Sequence, residues 1–233
     1  IREEYRREFL GNISHELKTP LFTVQGYLDT LIEGGAIKDK TLRVKYIERA
    51  SKGVERLISI VQDLDMISKF EVGDLNLEVT KFDIIVEIQN VFDLLEMKAD
   101  AKNIILMFDE KYITPIYVYA DKDKIQQVLT NLVMNSIKYG KENGTTEISI
   151  ERINKNKVLV RIQDNGDGIE QQHLSRIFER FYRISKSGSR EEGGSGLGLA
   201  IVKHIIEAHN EKIFVQSTPQ KGSEFSFTLK TSK

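Results

Sequence analysis

The chain has 233 residues, of which 40% are hydrophobic and 30% are charged, as in ordinary globular domains. Its 34 basic and 35 acidic side chains give a net charge of −1, which argues against a general nucleic-acid-binding protein, because such a protein needs a basic excess. There is no cysteine, so disulfides, a thiolate nucleophile and a cysteine-based zinc site are excluded within this chain.

An apolar stripe predicts a long first helix over residues 1–33. At about 100° per residue, His15 lies roughly 160° from the stripe, on the exposed face. Glu16 is its neighbour in sequence, and Thr19 follows one turn later on the same face. Pro20 removes one backbone N–H, so we expect a kink just after His15. The stripe consists of Phe9, Ile13, Leu17, Pro20, Val24 and Leu31.

A second helix is predicted over residues 41–70, after a short connection that begins at Gly34 and Gly35. Its apolar residues alternate spacings of three and four, which is a heptad pattern. They are Ile47, Ala50, Val54, Leu57, Val61 and Leu64. One helical hairpin has too little core to stand alone, whereas two copies form a four-helix bundle. We therefore expect a homodimer through residues 1–70. Packing of the hairpin on the rest of its own chain is the alternative.

The pattern changes after residue 70. Residues 71–80 are predicted to be a hinge or linker, and a short pairing strand over this stretch is the alternative. Asp83 is a good N-cap for the helix that follows it. Helices combined with mostly antiparallel strands predict an α+β domain over residues 81–233, with helices covering a sheet. Helices are predicted over 84–101, 121–139, 171–178 and 199–209, and strands over 104–108, 116–119, 147–153, 157–163, 212–217 and 223–229.

Two of four candidate sites lie on helices. A histidine beside a carboxylate, as His15 is beside Glu16, can act as a neutral nucleophile whose ring the carboxylate orients. A solvated surface pair is the ordinary alternative. On the helix over 121–139, Asn131, Asn135 and Lys138 follow each other at spacings of four and three. Amide oxygens suit Mg²⁺ and lysine suits phosphate, although an ordinary polar helix edge has the same pattern.

The other two candidates are glycine-rich. The sequence DNGDGI over 164–169 follows a strand, and its glycines permit close backbone approach to a ligand, while Asp164 can accept a hydrogen bond from an amino group such as that of adenine. A plain turn is the alternative. The sequence GGSGLGLA over 193–200 runs into a helix, where backbone N–H groups can hold phosphate. It is not a Walker motif, and a single such loop is weak support.

The joint order of these sites resembles the catalytic core of bacterial two-component sensor histidine kinases over nearly the whole chain. The stretch FLGNISHELKTPL over 9–21 is similar to the H box of that family, and NLVMNSIKY over 131–139 to its N box. Residues 164–169 resemble the G1 box, FERFYR over 178–183 the F box, and GSGLGLA over 194–200 the G2 box. All five occur in the family's order and spacing.

The resemblance implies a dimeric four-helix bundle that carries the phospho-accepting histidine, followed by an ATP-binding α/β sandwich of the GHKL (Bergerat) type shared with gyrase, Hsp90 and MutL proteins. By position, His15 is the acceptor, Glu16 the neighbouring acid or base, and Thr19 the residue that assists phosphatase activity in some members. Asn135 matches the Mg²⁺ ligand. The implied nucleotide-binding residues are Asn131, Asn135, Lys138, Tyr139, Asp164, Gly166, Gly168, Arg183, Gly194, Gly196, Leu197 and Gly198.

The implied activity is ATP-dependent autophosphorylation of His15, then transfer to an aspartate of a response-regulator receiver domain. ATP and Mg²⁺ are the expected cofactors, residues 185–197 an expected lid, and nucleic acid and membrane are not expected partners of this piece. The chain begins at Ile1 without methionine, so we expect the cytoplasmic portion of a membrane-anchored sensor kinase. Ser136, Gly140 and Asp167 depart from the usual boxes. A chaperone-like ATPase and a non-catalytic dimeric scaffold are the alternative classes, and cis or trans phosphorylation stays open.

Overall fold

The computed structural model describes residues 2–72, 76–108, 114–184 and 194–231. The chain divides into two compact units, which we call the hairpin unit (Ile1–Val72) and the sandwich unit (Gly73–Lys233). Most of the predicted lid, over 185–193, and the middle of the predicted hinge, over 73–75, lie outside the described residues. Within the described ranges, no helix has the length and apolar character needed to cross a bilayer.

The hairpin unit consists of two long helices, α1 (Arg2–Ile32) and α2 (Lys40–Val72), which are joined through a 3-10 turn at Ala36–Lys38. Asp39 caps α2 by accepting hydrogen bonds from the backbone N–H groups of Thr41 and Leu42, at 2.8 and 3.0 Å. Helix α1 includes a buried Pro20, and a kink there stays a prediction. The helices approach closely at Gly53, where an added Cβ would lie 2.5 Å from Cγ2 of Val24.

The apolar stripe of each helix divides into a covered half and an open half. On α2, Ala50, Ile60 and Ile67 are buried, whereas apolar residues that lie on average about 110° further round the helix are exposed. The stripe of α1 divides in the same way, and because the helices are antiparallel the two open halves lie on one side of the hairpin. We call this side the open apolar flank. It consists of Leu10, Leu21, Leu28, Ile32, Ile47, Val54, Ile58 and Val61.

The sandwich unit contains a sheet of seven strands within its described residues. They are β1 (Val79–Asp83), β2 (Ile105–Phe108), β3 (Tyr117–Asp121), β4 (Thr145–Asn154), β5 (Lys157–Asp164), β6 (Ile213–Thr218) and β7 (Gly222–Thr231). Their spatial order is β1-β3-β7-β5-β4-β2, and β6 also pairs with β7. Of these pairings, only that of β2 with β4 is parallel. The predicted hairpin between β4 and β5 is confirmed, and β1 is the short pairing strand that the sequence left as an alternative.

Helices α3 (Ile84–Asp100), α4 (Lys122–Tyr139) and α6 (Gly198–Ala208) cover the sheet, while α5 (Gln171–Leu174) is a single turn. The helix predicted over 171–178 was therefore too long, because the helix ends at Leu174 and residues 175–178 form turns. Asp83 caps α3 as predicted, and Asp121 caps α4. Strand β5 alternates buried and less buried residues, as expected for a sheet covered on one face. The core between the layers includes Ile84, Ile125, Leu129, Val160, Ile201 and Phe227.

Candidate functional site

His15 is exposed on α1, as the helical periodicity predicted. Thr19, one turn later, is also exposed, and its hydroxyl donates to the backbone carbonyl of His15 at 3.2 Å. The Glu16 side chain is half-buried, because it points toward α2, where its Oε2 atom lies 3.4 Å from Nη2 of Arg56. The helix therefore presents the imidazole to solvent and holds the neighbouring carboxylate at the contact between the two helices.

Helix α4 carries four implied nucleotide-binding residues of the predicted N box on or beside one polar face. Asn131, Asn135 and Lys138 are half-buried, and Tyr139 is exposed at the end of the helix. The Lys138 ammonium lies 4.8 Å from the centre of the Tyr139 ring, which is the distance of a cation–π contact. Lys102 donates to the backbone carbonyl of Lys138 at 2.8 Å, so a second cation neutralises the carbonyl end of this helix.

Asp164 ends β5 as a buried carboxylate. Burial raises the pKa of its carboxyl group, against hydrogen bonds to Oδ1 from the backbone N–H groups of Gly166 at 2.8 Å and Ser223 at 3.3 Å. These two bonds fix one carboxylate oxygen within the protein. The chain also packs tightly around the turn, since a Cβ on Gly166 would lie 2.5 Å from the backbone oxygen of Tyr139. The G1 and N boxes therefore meet directly.

The turn between β6 and β7 contacts Asp164, and the sequence analysis did not predict this contact. Gly222 has φ of +118°, and a Cβ there would lie 2.0 Å from the backbone oxygen of Asp164, so only glycine fits. The next residue, Ser223, donates its backbone N–H to Asp164. Gly168 meets the same turn, because its Cβ would lie 2.1 Å from the oxygen of Thr218. The glycine that follows the turn at 219–221 was the available sequence signal. It could not reveal the contact with Asp164, which lies 58 residues away in sequence.

The predicted G2 glycines lie against the polar face of α4. A Cβ on Gly194 would lie 2.7 Å from Nζ of Lys138, and one on Gly198 would lie 3.2 Å from Oδ1 of Asn131. Leu197 is fully buried and anchors the start of α6. Three separated segments, the N, G1 and G2 boxes, therefore converge in the sandwich unit. Glycine at these positions leaves the amide and ammonium groups of α4 uncovered by side chains of the loop.

The F box joins this cluster through its backbone. Phe181 donates its N–H to the carbonyl of Gly196 at 2.9 Å. Both residues have φ near +60 to +70°, which is uncommon for a bulky residue such as Phe181. Arg183 lies two residues further on, half-buried, next to the segment outside the described residues.

Among the other histidines, His209 has a structural role. It is buried, its Nε2 accepts from the backbone N–H of Asp121, and its Nδ1 contacts the carbonyl of Ile205 at 2.7 Å. It therefore joins the end of α6 to the start of α4. His173 contacts the hydroxyl of Tyr182 at 2.7 Å.

Two family models match the chain. The model described as "His Kinase A (phospho-acceptor) domain" matches residues 5–73, and the model described as "Histidine kinase-, DNA gyrase B-, and HSP90-like ATPase" matches residues 120–233. The chain belongs to the sensor histidine kinases. The expected family and the expected fold, a helical hairpin followed by an α/β sandwich, are thereby confirmed.

Individual sensor histidine kinases match most of the chain. It is 36% identical over 229 residues to the sensor histidine kinase WalK of Bacillus subtilis (strain 168), a match that covers 97% of this chain and 37% of that protein. The Acinetobacter baumannii histidine kinase AdeS has a TM-score of 0.75 at 29% identity, covering 94% of this chain and 98% of that one. The histidine kinase ThkA, solved in complex with response regulator protein TrrA, has a TM-score of 0.74 at 26% identity, covering 99% and 63%.

The side chains of this histidine kinase fit a magnesium ion bound together with phosphate. Asn131 and Asn135 supply amide oxygens one helical turn apart, and both are partly exposed. The absent side chain of Gly198 leaves room beside Oδ1 of Asn131. Mg²⁺ retains several waters and takes phosphate oxygens as ligands, so two neutral amides beside a lysine are a suitable set.

Proposed function

We propose that this chain is the catalytic core of a histidine kinase that phosphorylates His15 from ATP. The observation that carries the proposal is the convergence of the N, G1 and G2 segments on one polar surface of α4, in a chain that also presents an exposed His15. A scaffold without catalysis would not need glycine at Gly194 and Gly198, whose missing side chains uncover Lys138 and Asn131. A chaperone-like ATPase would not need the hairpin unit with its phospho-acceptor match.

Each side chain of the nucleotide site has a distinct role in this proposal. The free Oδ2 of Asp164 accepts a hydrogen bond from the amino group of adenine, because Oδ1 is already engaged by the backbone. Lys138 and Arg183 offset phosphate charge. Asn135, with Asn131 beside it, would hold Mg²⁺, which supplies charge neutralisation at the phosphates when bound. The loop over 185–197 is proposed to close over the nucleotide, and the hinge over 71–80 to bring the domain at 81–233 to residues 1–70.

The chemistry at His15 is an in-line displacement. The lone pair of one imidazole nitrogen attacks the γ-phosphorus, the N–P bond forms as the bond to the bridging oxygen breaks, and ADP leaves. Glu16 accepts a hydrogen bond from the other ring nitrogen, where positive charge develops, so it both orients and stabilises the ring. The phosphoryl group then passes to a receiver aspartate. Thr19, whose side chain is exposed, is proposed to help a water molecule attack the phosphorylated aspartate, which releases inorganic phosphate.

Two partners follow from the same features. A second copy of the chain is proposed to cover the open apolar flank and complete a four-helix bundle. A response-regulator receiver domain is proposed to dock near His15, which is supported by the solved complex of the similar kinase ThkA with TrrA.

The decisive experiment is incubation with ATP labelled at the γ-phosphate. Wild type should gain acid-labile phosphate, as expected for phosphohistidine, and His15→Gln should gain none while still binding ATP. His209→Gln, a buried histidine of the sandwich unit, is the control for loss of any histidine and should still be labelled at His15. Acid-labile label in His15→Gln would show that another residue is the acceptor.

A further inference from the structure

Arg56 connects α2 to the turn of α1 that carries His15. Its guanidinium Nη2 lies 3.4 Å from Oε2 of Glu16, with side-chain exposures of 31% and 19%. The two residues are 40 positions apart in sequence, and no local pattern links them. This contact joins a cation of α2 to the carboxylate beside His15.

The pair lies on the side of the hairpin opposite the open apolar flank. On α1, Glu16 lies on one side of the buried stripe and Leu21 on the other. On α2, Arg56 and Val54 are separated by the buried stripe in the same way. His15 lies further round on the same side as Glu16. A second copy that covers the open apolar flank therefore leaves this ion pair uncovered, together with the imidazole it adjoins.

We propose that Arg56 is a positioning residue for the phosphorylation of His15, an inference that rests on the proposed function. It acts through Glu16, by holding that carboxylate at the turn where the imidazole must be oriented. Removing the guanidinium takes a charged partner from a half-buried carboxylate, which makes the present position of that carboxylate less favourable. The distance of 3.4 Å exceeds the 2.7–2.9 Å typical of a tight charged hydrogen bond, so this is a loose ion pair.

The alternative is that Arg56 has only a structural role, in which it stabilises the packing of α1 against α2. Arg49, another arginine of α2, is a matched control for that role. Arg49 donates to the hydroxyl of Tyr27 on α1 at 3.1 Å and lies over the same ring. It therefore makes an interhelical contact, but two turns of α2 away from Arg56 and to a tyrosine that lies outside the H box.

The test is a double-mutant cycle on the rate of His15 labelling, measured at saturating ATP together with the ATP concentration that gives half the maximal rate. Arg56→Gln should lower the maximal rate about tenfold and leave the half-saturating ATP concentration unchanged, because it misplaces a catalytic group and does not touch nucleotide. Arg56→Lys should restore part of the rate. In a Glu16→Gln background, Arg56→Gln should cause no further loss, since the group it positions is already gone.

Arg49→Gln should keep the wild-type rate within about twofold, and circular dichroism should show equal helix content in all variants. An equal loss from Arg56→Gln in both backgrounds, an equal loss in Arg49→Gln, or a change confined to the half-saturating ATP concentration would each overturn the positioning role. An unchanged rate in Arg56→Gln would do the same. Labelling of wild type and its absence in His15→Gln test the proposed function separately, so the two failures can be told apart.

Discussion

The two units of this chain differ in how completely they bury their own apolar side chains. The sandwich unit fully buries residues such as Ile125, Leu129 and Phe227, whereas the hairpin unit leaves Leu21 53% and Val61 56% exposed. Exposed aliphatic residues in register along two helices mark an interface, since scattered ones would not form a continuous flank. The sandwich unit therefore has a core of its own between its helices and its sheet, and we expect a partner to cover the open apolar flank of the hairpin unit. His15, the proposed acceptor, lies on the hairpin unit.

The largest predicted effect is the weakening of the dimer by charged residues on the open apolar flank. The double substitution Val54→Asp with Val61→Asp would bury carboxylates between two copies, at a cost of several kcal/mol for each unpaired charge. We expect at least a 1000-fold weaker dimer, which is roughly 4 kcal/mol. Sedimentation analysis across a concentration range measures the dissociation constant.

The matched control for this prediction is Val86→Asp on α3. Val86 is 47% exposed and Val54 is 44% exposed, and both are helical valines, but Val86 belongs to the unit with a complete core. This variant should dimerise like wild type. ATP binding should be equal in all these variants, because none of the three substituted residues belongs to the N, G1 or G2 box. An unchanged dissociation constant in the double variant would show that the open apolar flank of the hairpin unit is not the dimer interface.

Sequence patterns predicted local features of both units well and long-range ones poorly. The exposed face of His15 and the cap at Asp83 depend on neighbours within four residues, and both were predicted. The heptad of α2 was recognised as one stripe, but its division into a covered and an open half depends on where α1 lies. The contact of Arg56 with Glu16 has no local signature, because it joins residues from two helices.

The proposed nucleotide site, formed by the N, G1 and G2 boxes, shows the same limit. The resemblance identified Asp164 and the glycines of its turn, whereas Gly222 and Ser223 became visible only when β7 was placed beside β5. The parallel pairing of β2 with β4 was also not predicted, since alternation within a strand says nothing about its neighbour. Sheet order is decided by packing of the whole unit, which a pattern in one segment does not contain.

An effect of intermediate size on ATP affinity is expected from Asp164→Asn. The same variant tests whether the buried carboxylate lowers the stability of the sandwich unit. Oδ1 must keep accepting from Gly166 and Ser223, so the new amide nitrogen has to face the ligand. A donor would then oppose the amino group of adenine. We expect ATP affinity to fall about 100-fold, from the loss of a charge-assisted hydrogen bond of roughly 2–3 kcal/mol. Isothermal titration calorimetry measures the change.

The same substitution should raise stability at neutral pH. Burial raises the pKa of Asp164, so the folded state holds its proton more tightly than the unfolded chain does. The contribution of this group to stability is therefore present at low pH and is lost as pH rises through the raised pKa. Thermal unfolding should show Asp164→Asn melting above wild type at pH 7, with the difference vanishing in acid. Asp167→Asn, an exposed carboxylate of the same turn, should leave both properties unchanged.

The smallest effect concerns Ser136, where the N box of the family usually has alanine. Its hydroxyl lies 2.6 Å from that of Thr146, and both residues are buried. Thr146 is also the register partner of Asp164 across β4 and β5, so the pair lies beside the nucleotide site without belonging to its surface. Ser136→Ala leaves the Thr146 hydroxyl unpaired, which should cost about 1 kcal/mol of unfolding free energy and lower the melting temperature by roughly 2–4 °C.

Adding Thr146→Val should return the melting temperature close to wild type, because replacing both partners of a buried hydrogen bond by apolar groups of similar shape is nearly neutral. ATP affinity should be the same in Ser136→Ala, in the double variant and in wild type. A matching loss of affinity would mean that this hydroxyl pair supports the position of Asp164 and belongs to the site. Equal affinity would assign the pair to the core, and would show that the complete core of the sandwich unit extends to the layer directly beneath its nucleotide surface.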